Sequence, residues 1–145
     1  MEQMANHSIM LVDDNADFAL LLQEAFAELQ SQTSLVVVRD GTALARILGG
    51  NGEFAGEKLP DIVLLDLLLP GEDGFDILRN RKLSPVFNAI PIIVFTGSNN
   101  PADVDRSYAL GANAFISRPA AFGDLVNVVQ IIEKFWFTIV ALPKN

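Results

Sequence analysis

The chain has 145 residues, half of them apolar, with a formal net charge of −8 and a sequence pI near 4.4. At that size one domain is expected, burying about two-thirds of the surface its unfolded chain exposes. The acidity argues against a nucleic-acid partner, which needs a basic face, and a chain without cysteine has no disulfides, thiolate metal sites or cysteine nucleophiles.

No apolar run is long enough to span a bilayer. The opening stretch Met1–Ser8 lacks both the basic flank and the apolar segment of a secretory signal. The expectation is a soluble, cytoplasmic protein made of a single domain over 1–145. Its core should run from about 8 to 137, with a tail over 138–145 and no second domain.

Ser8-Ile9-Met10-Leu11-Val12 is a short apolar run that stops at Asp13-Asp14-Asn15, which predicts a strand. The next segment places Phe18, Leu21, Leu22, Ala25 and Leu29 on one helical face. Leu35–Val38 reads as a buried strand and Gly41–Leu48 as a short helix. A Gly-rich loop follows (Gly49 to Gly52, then Gly56), closed by Pro60. Ile62–Leu65 is a strand, Gly74–Lys82 a helix, and Ile92–Phe95 a strand. A mostly polar helix covers Ala102–Leu110, Ala114–Ile116 is the last strand, and the final helix runs from about Phe122 to near Phe137.

Strict alternation of near-continuous apolar strands with helices implies an α/β doubly wound parallel sheet of five strands, covered on both faces. Ligands bind such sheets in the crevice outside the carboxyl ends of the strands. The residues just after the strands are Asp13-Asp14, Asp66, Thr96-Gly97-Ser98 and Ser117-Arg118-Pro119. Each has an ordinary explanation: Asp14 or Asn15 as a helix cap, Thr96 and Ser98 as caps or turn formers, Arg118 as an exposed loop residue. If the first, third, fourth and fifth strands are neighbours, they converge instead. Three clustered carboxylates repel one another unless a cation is present. Oxygen ligands with no His or Cys nearby suit Mg²⁺ or Mn²⁺. A carboxylate, a metal, a hydroxyl and a fixed cation are the parts that phosphoryl transfer onto the carboxylate requires.

The stretches Ile9–Asn15, Pro60–Pro70, Asp73-Gly74, Pro91–Ser98 and Gly111–Ile116 resemble the response-regulator receiver family of two-component signalling, in family order and spacing. The resemblance covers nearly the whole chain. It implies the flavodoxin-like strand order 2-1-3-4-5 and no enzymatic activity beyond promoting the domain's own phosphotransfer and dephosphorylation. It makes Asp66 the phosphoacceptor, Asp14 a direct metal ligand, and Asp13 an acidic neighbour acting largely through water. The Leu68 backbone carbonyl would be a further ligand, Thr96 would bond the phosphoryl group, and Phe115 would turn inward on activation. Phe115 is equally readable as an ordinary core side chain.

A flavodoxin-type cofactor binder would need a Ser/Thr/Gly phosphate loop where Asp13-Asp14 stands. A haloacid-dehalogenase-type hydrolase needs a second Asp where Leu68 stands. Both fit poorly. One departure from the receiver pattern matters more: the family has Lys-Pro where this chain has Arg118-Pro119. Arginine keeps the charge but donates through a larger, fixed planar fork. The carboxylates and threonine are intact, so the expectation is a working but altered switch; the alternative is a pseudo-receiver, an interaction module whose site no longer switches. The family also implies a cis bond before Pro119, aiming residue 118 into the site. Leu68 offers no group to position an attacking water, so slow loss of phosphate is expected.

The final helix needs Leu125, Val128, Val129, Ile132 and Trp136 to cover the sheet, yet also carries Val126, Ile131, Phe135 and Phe137 off that stripe. The ending Phe135–Pro143 and the long loop before the third strand resemble stand-alone receivers that serve phytochrome-type histidine kinases. That resemblance implies a histidine-kinase partner and a homodimer through the fourth helix, fifth strand and fifth helix. The signal would then leave by protein contact or onward phosphotransfer.

Overall fold

The computed structural model describes residues 7–49, 59–69 and 71–143. Most of the expected Gly-rich loop therefore lies outside the described residues, as do Pro70 and both chain ends.

Five parallel strands form the central sheet: β1 (Ser8–Val12), β2 (Ser34–Val38), β3 (Ile62–Leu65), β4 (Ile92–Thr96) and β5 (Ala114–Ser117), in the order β2-β1-β3-β4-β5. Among the described residues five longer helices connect them or follow them, α1 (Ala16–Glu28), α2 (Gly41–Gly49), α3 (Gly74–Asn80), α4 (Pro101–Ala109) and α5 (Phe122–Lys134), with a four-residue helix, Pro85–Asn88, ahead of β4. The α/β architecture and strand order are those expected.

The central strands β1, β3 and β4 are buried along their whole length because both of their faces are covered. Successive side chains point to opposite faces. Met10, Val12, Val63, Leu65 and Val94 meet Leu44, Ile47, Phe75 and Leu78 of α2 and α3. Ile9, Leu11, Ile62, Leu64, Ile93 and Phe95 meet Phe18, Leu22, Ala25, Leu125, Val129 and Ile132 of α1 and α5. Full burial of each such side chain contributes roughly 1.5–3 kcal/mol. The strand register sets Val12 beside both Val38 and Leu65, and Leu65 beside Val94, so β1, β2 and β3 end at one level and β4 runs two residues further, to Thr96.

Two patterns depart from expectation. Strand β2 lies at the sheet edge, and only Val38 is buried while Val36 is 39% exposed. On α1 the buried residues are Phe18, Ala19, Leu22, Ala25 and Phe26, whereas Leu21 is exposed. The helix is wedged between the sheet and α5, so its covered arc is displaced toward Ala19 and Phe26.

Local polar contacts fix the helix starts. Asn15 accepts from the Phe18 N–H at 3.0 Å, Asp73 from Phe75 at 2.9 Å and Asn100 from Ala102 at 3.0 Å. At α2, Asp40 accepts from Ala43 and the Glu72 carboxylate accepts the Gly41 N–H at 2.8 Å. Glu72 belongs to a short hairpin, Leu68–Leu69 against Glu72–Asp73, which comes after β3.

Beyond α5 the chain forms one wider turn, Phe135–Ile139, with the Val140 N–H donating to the Phe135 carbonyl. Trp136, Phe137 and Leu142 pack against the α1/α5 core, and Phe137 stacks on His7 at 4.1 Å. Ile131 (66%), Phe135 (44%) and Ile139 (63%) remain exposed. Among the described residues no helix is long and apolar enough to cross a membrane.

Candidate functional site

The carboxyl ends of β1, β3 and β4 are adjacent, so the residues just beyond them must meet. The Asp13 N–H is held by the Val38 carbonyl at 2.9 Å, and the Asp66 N–H by the Val12 carbonyl at 3.0 Å. These bonds continue the sheet pattern one residue past the strands and deliver two carboxylates to one crevice. Ligand oxygens of Asp13, Asp14 and Asp66 lie within 4.8 Å of one another. Asp13 and Asp66 are buried and Asp14 is exposed. Asn15 takes the capping role, which leaves the Asp14 side chain free of it.

Each oxygen of the buried pair has identifiable company. Asp13 Oδ1 accepts the Asn15 N–H at 2.8 Å, and Oδ2 is paired with the Arg118 guanidinium. Asp66 Oδ1 accepts the Thr96 hydroxyl at 2.9 Å and the Leu68 N–H at 3.3 Å, while Oδ2 lies 3.6 Å from Arg118. Burial pushes the Asp13 carboxyl above the ordinary carboxylate value, and the nearby Asp66 charge adds to this. The Asn15 hydrogen bond and Arg118 pull the other way. A site that raises a carboxyl in this way gains from a nearby cation. Three hard oxygen donors fit a divalent ion of the Mg²⁺ or Mn²⁺ kind.

Thr96 is fully buried and spends its hydroxyl on Asp66 rather than on a cap or turn. Ser98 has the ordinary role instead, donating to Asp103 at 2.6 Å and accepting from the Asn100 N–H. Leu68 is 73% exposed on the lip of the crevice. Phe115 is half-buried against the α2/α3 core, and its N–H donates to the Tyr108 hydroxyl at 3.2 Å.

Gly74 explains why the loop after β3 can close so tightly. Its N–H donates to the Leu67 carbonyl at 3.0 Å, and a Cβ there would sit 2.6 Å from the Leu67 Cα and 2.7 Å from the Asp66 carbonyl. Only glycine permits that approach.

Arg118 is no exposed loop residue, since its side chain is 13% exposed. Its Nε donates to the Phe95 carbonyl at 3.2 Å, and its Cζ lies 3.9 Å from the centre of the Phe18 ring. The expected cis bond before Pro119 is absent, no peptide bond among the described residues being cis. The Arg118 N–H donates to the Thr96 carbonyl at 2.8 Å, continuing the β4–β5 ladder, and the long side chain reaches the crevice from that position.

Two contributors escape a reading of the sequence. Phe18 is legible there as a core residue of α1 but not as the platform beneath Arg118. Arg81, 7% exposed, donates to the carbonyls of Phe87, Asn88, Ile90 and Gly111 and to the Asn113 side chain, at the opposite end of β4 and β5. Nothing in the local sequence marks either role.

A parallel five-stranded sheet in this order, with clustered acids at its carboxyl edge and a hydroxyl on the central one, defines the receiver class of signalling modules. The chain belongs to the response regulator receiver domain family, whose pattern matches residues 9–130. It is similar to the response regulator Rcp1 of Synechocystis sp., 37% identical over 135 residues covering 93% of this chain and 92% of that protein. Its fold matches the crystal structure of the phosphorylated cyanobacterial phytochrome response regulator RcpA with a TM-score of 0.88 at 38% identity, covering 97% of this chain and all of that one. The Mn²⁺-bound form of Rcp1 matches with a TM-score of 0.83 at 36% identity, covering 95% and 99% of the two chains. Receiver domains of this family typically lack independent catalytic activity beyond their own phosphorylation and dephosphorylation.

Proposed function

We propose that this receiver acts as an interaction module in two-component signalling, and that Arg118 impairs the conformational switch phosphorylation would otherwise throw. The observation that carries this is the buried Arg118–Asp13 ion pair. A lysine at that position would be a compact charge on a flexible stem, free to swing to a phosphoryl oxygen. Arg118 is tied at three points, to Asp13, to the Phe95 carbonyl and to the Phe18 face. Following a phosphoryl group would mean giving these up.

The second reading is a working response regulator that takes a phosphoryl group from a histidine kinase onto Asp66. It is favoured by the intact acidic cluster and by the Thr96–Asp66 hydrogen bond. In either reading Asp13, Asp14, Asp66 and the Leu68 carbonyl would hold Mg²⁺ or Mn²⁺. The bound ion would supply charge neutralisation for a phosphoryl group. The Thr96 hydroxyl would turn from Asp66 to a phosphoryl oxygen, and Phe115 would follow it inward. Leu68 positions no water, so a phosphoryl group on Asp66 would be lost slowly. The likeness to RcpA, a phytochrome response regulator, supports a phytochrome-type histidine kinase as partner.

The domain is taken as one unit, with its core over 8–137 and a tail over 138–145. A homodimer through α4, β5 and α5 is part of the proposal, supported by the exposed Tyr108, Ile131 and Phe135. Sedimentation as a monomer at tens of micromolar, with and without a phosphoryl analogue, would remove it. The switch itself is tested by adding beryllofluoride with Mg²⁺ while following Trp136 fluorescence. The expected outcome is no change in the native chain and a clear change in Arg118→Lys. A native response equal to that of Arg118→Lys would establish the second reading instead.

A further inference from the structure

Asp13 has no disengaged oxygen, one being bonded to the Asn15 N–H and the other to Arg118. A divalent ion entering beside it shares an oxygen that is already engaged, and whichever one it takes, it brings like charge toward the guanidinium. The strength of Arg118's hold therefore enters directly into metal affinity.

That hold does not come from the carboxylate alone. The central carbon of the guanidinium lies over the Phe18 ring, 3.9 Å from the ring centre. The attraction of a cation to a ring face is strongest where water is excluded, and Phe18 is 9% exposed. The ring is also in contact with a second aromatic: it meets Phe95 edge to face at 5.6 Å and 71°, at the start of a helix where Asn15 caps the Phe18 N–H. The Phe95 carbonyl, on the same residue, accepts the guanidinium Nε–H. Ring, carbonyl and carboxylate thus fix the guanidinium from three directions. A lysine ammonium has no plane to stack in this way.

We propose that Phe18 is a positioning residue: by lying under Arg118 it stabilises an internal counter-ion on Asp13 and so weakens divalent-cation binding at the acidic cluster. This rests on the reading of Asp13, Asp14 and Asp66 as a cation site, and it is independent of whether phosphorylation switches the domain.

Mn²⁺ binding measured by calorimetry on the full chain tests it, with the native protein, Phe18→Leu, Arg118→Ala and the double variant compared. Removing a unit charge beside the ion should tighten binding by about tenfold in Arg118→Ala. Phe18→Leu should tighten it by roughly three- to fivefold. The double variant should bind no more tightly than Arg118→Ala alone, because Phe18 acts only through the arginine. Phe18→Tyr, which keeps the ring face, should bind like the native chain. An independent readout is the Arg118 Nε–H resonance, expected to be protected and shifted by the ring in the native chain, averaged in Phe18→Leu, and displaced by Mg²⁺.

If Phe18→Leu folds poorly, Phe18→Met, whose unbranched side chain adapts to irregular gaps without a ring, takes its place. Unchanged affinity in the Phe18 variant, or an equal change with and without Arg118, would overturn the proposal and leave the metal reading standing. Absence of Mn²⁺ binding in all variants would overturn both.

Discussion

Two arginines are buried at opposite ends of the same pair of strands, and they are held by opposite kinds of partner. Arg81 lies at the amino ends of β4 and β5 and is bonded to four main-chain carbonyls and one side-chain amide oxygen. Arg118 lies at their carboxyl ends and is bonded to a buried carboxylate, with a second one 3.6 Å away. The oxygens that hold Arg81 are neutral, and some are shared with local N–H donors, as the Phe87 carbonyl is with Ile90; Arg81 so joins the end of α3, the short helix Pro85–Asn88 and the entry to β5. Carboxylates can be claimed by a metal or transformed by a phosphoryl group. The same side chain is a structural clamp in one setting and an exchangeable counter-ion in the other.

The sharpest way to break the comparison is Arg81→Ala. It leaves several buried carbonyls without a donor and should cost about 3–5 kcal/mol, read as a lowered midpoint in urea. Added Mg²⁺ should stabilise this variant and the native chain alike, leaving the gap between them unchanged. Arg118→Ala should cost less in chelator, about 1–3 kcal/mol, because one of the carboxylates it faces keeps Thr96 and Leu68 as donors. Here Mg²⁺ should restore most of the loss, since a ligand that binds only the folded state stabilises it by mass action. Equal behaviour of the two variants toward Mg²⁺ would erase the distinction. Gly74→Ala should cost about 1–3 kcal/mol by forcing the loop off the Asp66 carbonyl, and it should weaken Mn²⁺ binding as well.

The smallest expected effect is with pH. The folded-state value of Asp13 lies above its unfolded one, so the stability it contributes is full below the ordinary carboxylate range. That contribution is lost as pH rises through the elevated folded-state value. In chelator, thermal midpoints of the native chain minus those of Asp13→Asn should therefore become more favourable as pH falls. A difference that runs the other way would mean that Arg118, rather than burial, dominates at Asp13.

Much of this site is legible in the sequence because a parallel sheet orders its strand ends rigidly. Once Asp13, Asp66 and Thr96 are recognised as the residues after three apolar runs, adjacency of those runs brings them together. The hidden part depends on side-chain direction across elements. Phe18 and Arg118 lie a hundred residues apart, and no local period records that one ring lies under one guanidinium. Arg81 comes directly after a helix with no motif around it, since its partners are backbone carbonyls that any sequence possesses. The exposure of Val36 is hidden for a related reason: an edge strand and a central strand share one apolar vocabulary.

The bond between Glu72 and Gly41 ties the sequence to itself in a way that matters for anyone redesigning it. A methyl group at position 41 would fall 2.3 Å from the Glu72 carboxylate oxygen. Since that carboxylate can swing aside, alanine is admissible at 41 only by surrendering the acceptor at the start of α2. Positions 41 and 72 therefore carry one shared choice rather than two. A designed variant that changes either should change both, with a shorter acceptor at 72 whenever 41 gains a side chain.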